Sequence, residues 1–438
     1  MMLSRGTARP GVRRIAVIGG GAAGLFSARL LDSVYEVTLF ESAPRIGGHA
    51  YTVEVPEGPD AGTRLDIGFV NCAYSAYPRL IGYFDHLGVD LALSDSSFCV
   101  ISEQSREQYV FAMGPQGRVE GRATPDPSRF RYLNRLARFY ALAAIDLEAG
   151  RLKGLTVGEY CQQAGLSDDL IENFIVPVYG SLWVTPPADT LNLSAEVIYT
   201  YYRRAGLPSF KDYDGYYLVN ASQAYIEALM RGYQGQLELS CGVKRLLRHD
   251  DGVELVLEDG SRQRFDAAVV ALHADDALKI LDNPSETERE LLGAWSYPAC
   301  RVVVHSDASV IEPDQDFTAA YNYVARPDFR TQDRLTVTYN LNRIMQLEAS
   351  GQYFMTLNPT RPIDPARTLL DMAWRHPFFS VPAVATQSRL PELQDHRRTF
   401  FCGSYFSCGS HEDAVCSAEA VCQLLGVEPL VKSWERAA

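Results

Sequence analysis

Three glycines near the N-terminus, Gly19, Gly21 and Gly24, stand as G-x-G-x-x-G, and an acid, Glu41, lies further along the chain. This spacing suits a dinucleotide. The first glycine permits a tight turn, the second lets backbone approach a pyrophosphate, and the third lets a helix pack close to a strand. Ala22 and Ala23 open that helix, whose free N–H groups face the phosphates. A carboxylate about 20 residues after the first glycine accepts hydrogen bonds from a ribose. Glu41, with Ser42 beside it, holds that place. A second glycine pair, Gly47-Gly48, lies between Arg45 and His49. Two more imidazoles stand at element ends: His273 after a strand and His411 before a helix. Histidine, with an unperturbed pKa of about 6.5, exchanges a proton near neutral pH. The positive end of a helix would disfavour the cation of His411 and keep it able to accept.

These residues act together only if the right elements hold them. Residues 15–18 form an apolar run that reads as a buried parallel strand, 22–31 as the helix and 36–40 as a second strand ending at Glu41. Residues 65–69 read as a strand running into a turn at Gly68 and Phe69, and 77–87 as a helix. The stretch 129–147 is helical by period, with Arg131, Arg135 and Arg138 on one face beside Tyr132, Leu136 and Phe139. Thr156 and Glu159 predict a capping box for a helix over 157–164. A helix over 170–179 is expected to break near Pro177. After a helix at 221–232, strands are expected at 237–239, 242–248 (opened by Val243), 253–257 and 264–272. Strands at 300–305, 318–323 and 335–340 predict a second, mixed sheet. A buried strand at 399–402 and a helix at 412–425 close the chain.

The fold class is therefore α/β: a Rossmann-like nucleotide domain, discontinuous in sequence, with a substrate domain of mixed sheet and helices. The expected boundaries are 12–78, 215–273 and 396–438 for the first, and 79–214 and 274–395 for the second. A net charge of −13 argues against nucleic acid as a partner. The nine cysteines show no C-x-x-C pair and no common zinc spacing, so no metal is expected and they read as reduced, cytoplasmic thiols. Residues 1–14 lack the apolar core of a secretion signal, and no apolar run is long enough to span a membrane.

Glu41, three residues, then Arg45-x-Gly47-Gly48-His49 resembles the flavin amine oxidase superfamily pattern, with His49 in place of its usual final arginine. The stretches "LGVDLALSDSSF" (87–98), "LWVTPPADTL" (182–191), "ALHADDAL" (271–278) and "FCGSYFSCGSHEDAV" (401–415) extend the likeness. Together they resemble a bacterial branch grouped with cyclopropane-fatty-acid-synthase-like methyltransferases. The resemblance implies an amine-oxidase-like fold and resident FAD. The implied cofactor positions are the two glycine motifs with Glu41 and Ser42, then Gly68, Phe69, Val243 and His273. At the C-terminal junction they are Gly403, Ser404, Ser410, Glu412 and Asp413. His411 and Tyr405 are the implied catalytic residues over the flavin.

The implied activity is oxidation, desaturation or double-bond isomerisation of an unsaturated or methylated acyl chain. The alternatives are oxidation of a small amine, or a non-catalytic flavoprotein that serves a lipid methyltransferase. The implied partners are an acyl-chain or other small-molecule substrate, with an acyl carrier, the methyltransferase or a membrane surface beside it. Three departures point to a divergent substrate: Asn220-Ala221-Ser222 for Gly-Gly-Ser, Val70-Asn71 for Tyr-Asn, and Ser404 for an acid. Many amine oxidases of the superfamily also use a lysine at the flavin, and none of the five lysines here falls between 280 and 431.

Overall fold

A computed structural model describes residues 6–102, 108–111, 127–206, 214–311, 319–326 and 328–431; the side chains at 102, 108–111, 127–133 and 329 lie outside the description. The nucleotide unit is built as its composition demands. Strand β1 (Arg14–Ile18), helix α1 (Ala22–Leu31) and strand β2 (Glu36–Phe40) follow in sequence, and every residue of α1 is buried. Three strands return from far along the chain: β3 (Gln236–Glu238), β4 (Ala267–Val270) and β5 (Thr399–Phe401). The sheet order is β5-β4-β1-β2-β3, and every pairing is parallel. Parallel strands buried on both faces carry near-continuous apolar runs, as β1 and β4 do. Ligands of such sheets bind beyond the carboxyl ends of the strands. Beyond those ends lie the loops with Gly19, Glu41, His273 and Gly403.

Helix α2 (Pro78–Leu87) packs against this unit, α3 (Pro127–Glu148) packs on α4 (Ala195–Arg204), and α5 (Ala221–Met230) and α6 (His411–Leu424) pack on α1. Helix α6 packs on α1 and α2. Thr156 and Glu159 form the expected capping box. The expected break at Pro177 is absent. The helix runs through it as a π segment, Ile171–Ile175, leading into Val176–Trp183. Proline removes an N–H from the α register, and a local π turn absorbs that loss.

Among the described residues the second sheet has seven strands, in the spatial order Thr368–Arg375, Ala299–His305, Phe354–Leu357, Val337–Asn340, Tyr321–Ala325, Phe98–Ser102 and Gln108–Phe111. All neighbours are antiparallel except Tyr321–Ala325 with Phe98–Ser102. The sequence reading placed strands only within 300–340. The sheet also takes two strands from about 200 residues earlier and two from beyond 350, because pairing partners are chosen by burial rather than by order in the chain. The strand expected at 318–323 runs instead over Tyr321–Ala325, and residue 318 lies outside the described residues.

Candidate active site

The two glycine motifs sit back to back. Gly47 bridges Gly21, its N–H donates to Gly20 O at 2.8 Å, and a Cβ on Gly48 would lie 3.0 Å from the Gly21 Cα. Gly24 is steric in role: a Cβ there would come within 1.8 Å of Gly19 O. Gly68 is similar, with His49 O at 1.7 Å from the added carbon. Gly21 differs. It caps α1 in an extended conformation (φ −74°), and a Cβ on it would meet nothing within 4 Å. The open slot at the N-terminus of α1, behind Ala22 and Ala23, fits a diphosphate.

Glu41 stands at the carboxyl end of β2 and accepts from the Gly20 N–H at 2.7 Å and the Ala43 N–H at 2.8 Å. Ser42 is exposed beside it, its hydroxyl 3.2 Å from the Glu41 carboxylate. Arg45 lies 3.5 Å over the Tyr51 ring and donates to Gly48 O at 3.1 Å. The Cys241 N–H donates to Glu41 O, so Val243, half-buried at the start of Val243–Arg248, lies a few residues from the Glu41 corner. These groups lie beyond the carboxyl ends of β1 and β2, the edge at which such sheets bind a dinucleotide.

At the other end four of the eight histidines converge. The His49 ring lies 4.8 Å from His376, 6.0 Å from His273 and 5.0 Å from Trp374. His273 stacks on Tyr297 at 4.3 Å. Buried His49 Nε2 and His376 Nδ1 have no hydrogen-bond partner among the described residues. Burial pushes His376 down to about 4 and His49 well below its usual value, so the cluster is neutral. His376 was not foreseen, because no local motif marks a residue that a distant strand brings to His49. His273 also lies beside Asp275 and Asp276. Arg375 and Lys279 already pair with both carboxylates.

His411 is the first residue of α6, one position inside the helix rather than before it. Its ring stacks on Phe69 at 4.4 Å, and its Nε2 lies 2.7 Å from the Tyr225 hydroxyl on α5. Burial pushes its pKa down to about 4. It is neutral, as the sequence reading required, but the cause is desolvation rather than the helix end. Below this pair, Asp66 accepts from the Ser222 N–H at 2.8 Å and from the hydroxyls of Ser222 at 2.6 Å and Thr52 at 2.7 Å. Burial raises the Asp66 carboxyl to about 6. Ala221, where related chains place glycine, takes a left-handed backbone with φ 61°. That conformation costs a non-glycine residue about 1–2 kcal/mol.

Tyr405 does not suit a proton-handling role. It is buried against Trp295 at 5.7 Å and Phe406 at 4.9 Å, and burial raises its phenol far above neutral pH. Its hydroxyl is buried without a partner among the described residues. Its ring fills the space beside Gly403, where a Cβ would come within 2.6 Å of it. Ser404, half-buried, opens the short turn Ser404–Phe406.

The side chains of Ser410, Glu412 and Asp413, expected at the cofactor, have protein partners. Ser410 and Asp413 form the capping box of α6, and Asp413 also pairs with Arg204 at 2.7 Å. Glu412 accepts the N–H groups of Arg79 at 2.8 Å and Leu80 at 2.9 Å, and so caps α2. Glu412→Ala therefore strands two N–H groups. We expect a loss of about 2 kcal/mol in urea unfolding, with bound flavin per mole of protein unchanged. Loss of flavin without loss of stability would return Glu412 to the cofactor.

A glycine-lined slot at the edge of a parallel sheet, beside a second mixed sheet, defines a dinucleotide-dependent protein of the flavoprotein kind. The chain belongs to the flavin containing amine oxidoreductase family, whose profile matches residues 22–425. FAD is its cofactor. Among curated proteins it is similar to Polyamine oxidase 4 of Oryza sativa subsp. japonica, 24% identical over 270 residues. That match covers 59% of this chain and half the length of the relative. Among solved structures it is similar to a CLA-producing fatty acid isomerase from P. acnes, with TM-score 0.69 and 18% identity over 95% of this chain and 99% of that one. It is also similar to a putrescine oxidase bound to putrescine, with TM-score 0.68 and 13% identity over 94% of this chain and 98% of that one.

Proposed function

We propose that the protein is an FAD-dependent enzyme acting on an unsaturated or methylated acyl chain, by desaturation, oxidation or movement of a double bond. The observation that carries this is the neutral imidazole of His411, set on Phe69 and tied to Tyr225. FAD, when bound, supplies hydride acceptance and return. Glu41, Gly21 and the glycine pair at 47–48 would hold its adenosine and phosphates, with His49 and His273 beyond them. The protein must then manage a C–H proton, and His411 does so if Nε2–H donates to the Tyr225 oxygen and Nδ1 keeps its lone pair. We assign 12–78, 215–273 and 396–438 to the cofactor, and 79–214 and 274–395 to the substrate.

An amine substrate is less well served. Lys153, Lys244 and Lys279 are exposed, Lys279 is paired with Asp275 and Asp276, and Lys211 and Lys432 lie outside the described residues. The fatty acid isomerase among the similar structures supports the acyl-chain reading, and the putrescine oxidase names the competitor. The link to a lipid methyltransferase rests on the sequence motifs alone. Anaerobic incubation separates the two substrates. An unsaturated fatty acid should bleach the flavin or yield a conjugated diene, while mono- and polyamines leave the spectrum unchanged. Rapid bleaching by an amine, with an inert fatty acid, would overturn the proposal.

A further inference from the structure

Helix α3 carries a surface that the site does not use. Leu136, Phe139, Tyr140 and Ala143 are buried on its inner side. The sequence reading placed Leu136 and Phe139 beside the arginines, whereas the structure turns them into the core. At 3.6 residues per turn, Arg135, Arg138, Leu142 and Ile145 fall on one outer stripe. Leu142 is 40% exposed and Ile145 59%, two of the few large aliphatic side chains left in solvent among the described residues. Arg135 and Arg138 are exposed and form no ion pair with a described residue. Arg131 belongs to the same stripe by spacing, and its side chain, like that of Tyr132, lies outside the described residues. Glu148, at the far end, is held by Arg203 at 3.3 Å.

A shallow, open depression lies between α3 and α4, lined by Leu147, Thr200, Arg203 and Arg204. Arg204 ties it to Asp413, two residues from His411. No described helix is long and apolar enough to cross a membrane.

We propose that α3 docks the protein on an anionic lipid bilayer, with Leu142 and Ile145 entering the headgroup boundary and Arg135 and Arg138 meeting lipid phosphates. Charge complementarity selects this occupant. A chain of net charge −13 is repelled by an anionic surface as a whole, so attraction must come from a local basic stripe. An exposed apolar row continued by arginines is the arrangement that lies in a bilayer interface. A second copy of the chain would bring the same arginines against each other. The stripe lies in the segment assigned to the substrate, but none of its residues is among those placed at the His411 site.

The test is co-sedimentation of the flavin-loaded protein with vesicles of phosphatidylcholine alone or mixed with phosphatidylglycerol. Binding is expected only to the mixed vesicles, weakening as salt rises. Arg135→Gln with Arg138→Gln should weaken it about 30-fold, and Leu142→Ser with Ile145→Ser should weaken it at every salt concentration. Flavin content and turnover of dispersed substrate should not change in either variant. No binding by the parent protein, or equal binding by both variants, would overturn the proposal. A change of oligomeric state in the leucine–isoleucine variant, without vesicle binding, would assign the stripe to self-association instead.

Discussion

Gly21→Val is expected to empty the cofactor slot while leaving the fold standing. The position has an ordinary extended backbone, and a Cβ there meets no protein atom within 4 Å. The added methyl groups therefore point into the slot at the start of α1, where the diphosphate must come close to backbone N–H groups. Forcing such groups into packed contact costs about 3 kcal/mol, which is on the order of a 100-fold loss in FAD affinity. The purified variant should be nearly colourless, with thermal unfolding in the absence of FAD matching that of the stripped parent. Gly24→Ala is the control with the opposite signature. Its Cβ would lie 1.8 Å from Gly19 O, inside the turn that joins β1 to α1, so it should unfold the nucleotide domain and lose cofactor and stability together. If Gly21→Val stays yellow with unchanged affinity, the diphosphate lies elsewhere.

His411→Phe should keep the flavin and the fold yet lower kcat by about 10²–10⁴, the range for removal of a general acid or base. Phenylalanine preserves the stack on Phe69 and loses the bond to Tyr225. Acyl-chain turnover should also carry the pH signature of the buried imidazole. A base depressed to about 4 is neutral throughout the neutral range, so kcat/KM should stay level there and fall only as pH drops through about 4. Tyr225→Phe should move that acid limb, because it removes the partner of Nε2. If His411→Phe works at the parent rate, the imidazole is structural and the proton is handled elsewhere.

The nucleotide unit was legible because its meaning is local. A glycine at a turn, a glycine under a helix and an acid at a strand end act within one strand–helix–strand unit, and their spacing already states their geometry. The return of the chain to that unit at β4 and β5 was legible as well, since buried parallel strands read as short apolar runs. The second sheet was only partly legible. Phe98–Ser102 pairs with Tyr321–Ala325, and Ala299–His305 with Phe354–Leu357 and Thr368–Arg375, across long stretches of chain, and period alone does not name a partner.

The side chains at the start of α6 show the same limit more sharply. Composition alone allows Ser410, Glu412 and Asp413 to cap a helix or to meet a cofactor. Ser410 and Asp413 cap their own helix through a local box, whereas only the arrival of α2 makes Glu412 a cap and only that of Arg204 gives Asp413 an ion pair. His376, Tyr225 and the turning of Leu136 and Phe139 into the core likewise depend on neighbours far away in sequence. The sequence by itself determined the α/β class and the FAD cofactor, and it named a candidate slot and an imidazole at the start of α6. The tertiary structure decided which nitrogen of that imidazole is engaged, why it is neutral, and which polar groups remain available. Desolvation and hydrogen-bond partnership are properties of the packed neighbourhood, and no run of adjacent residues contains them.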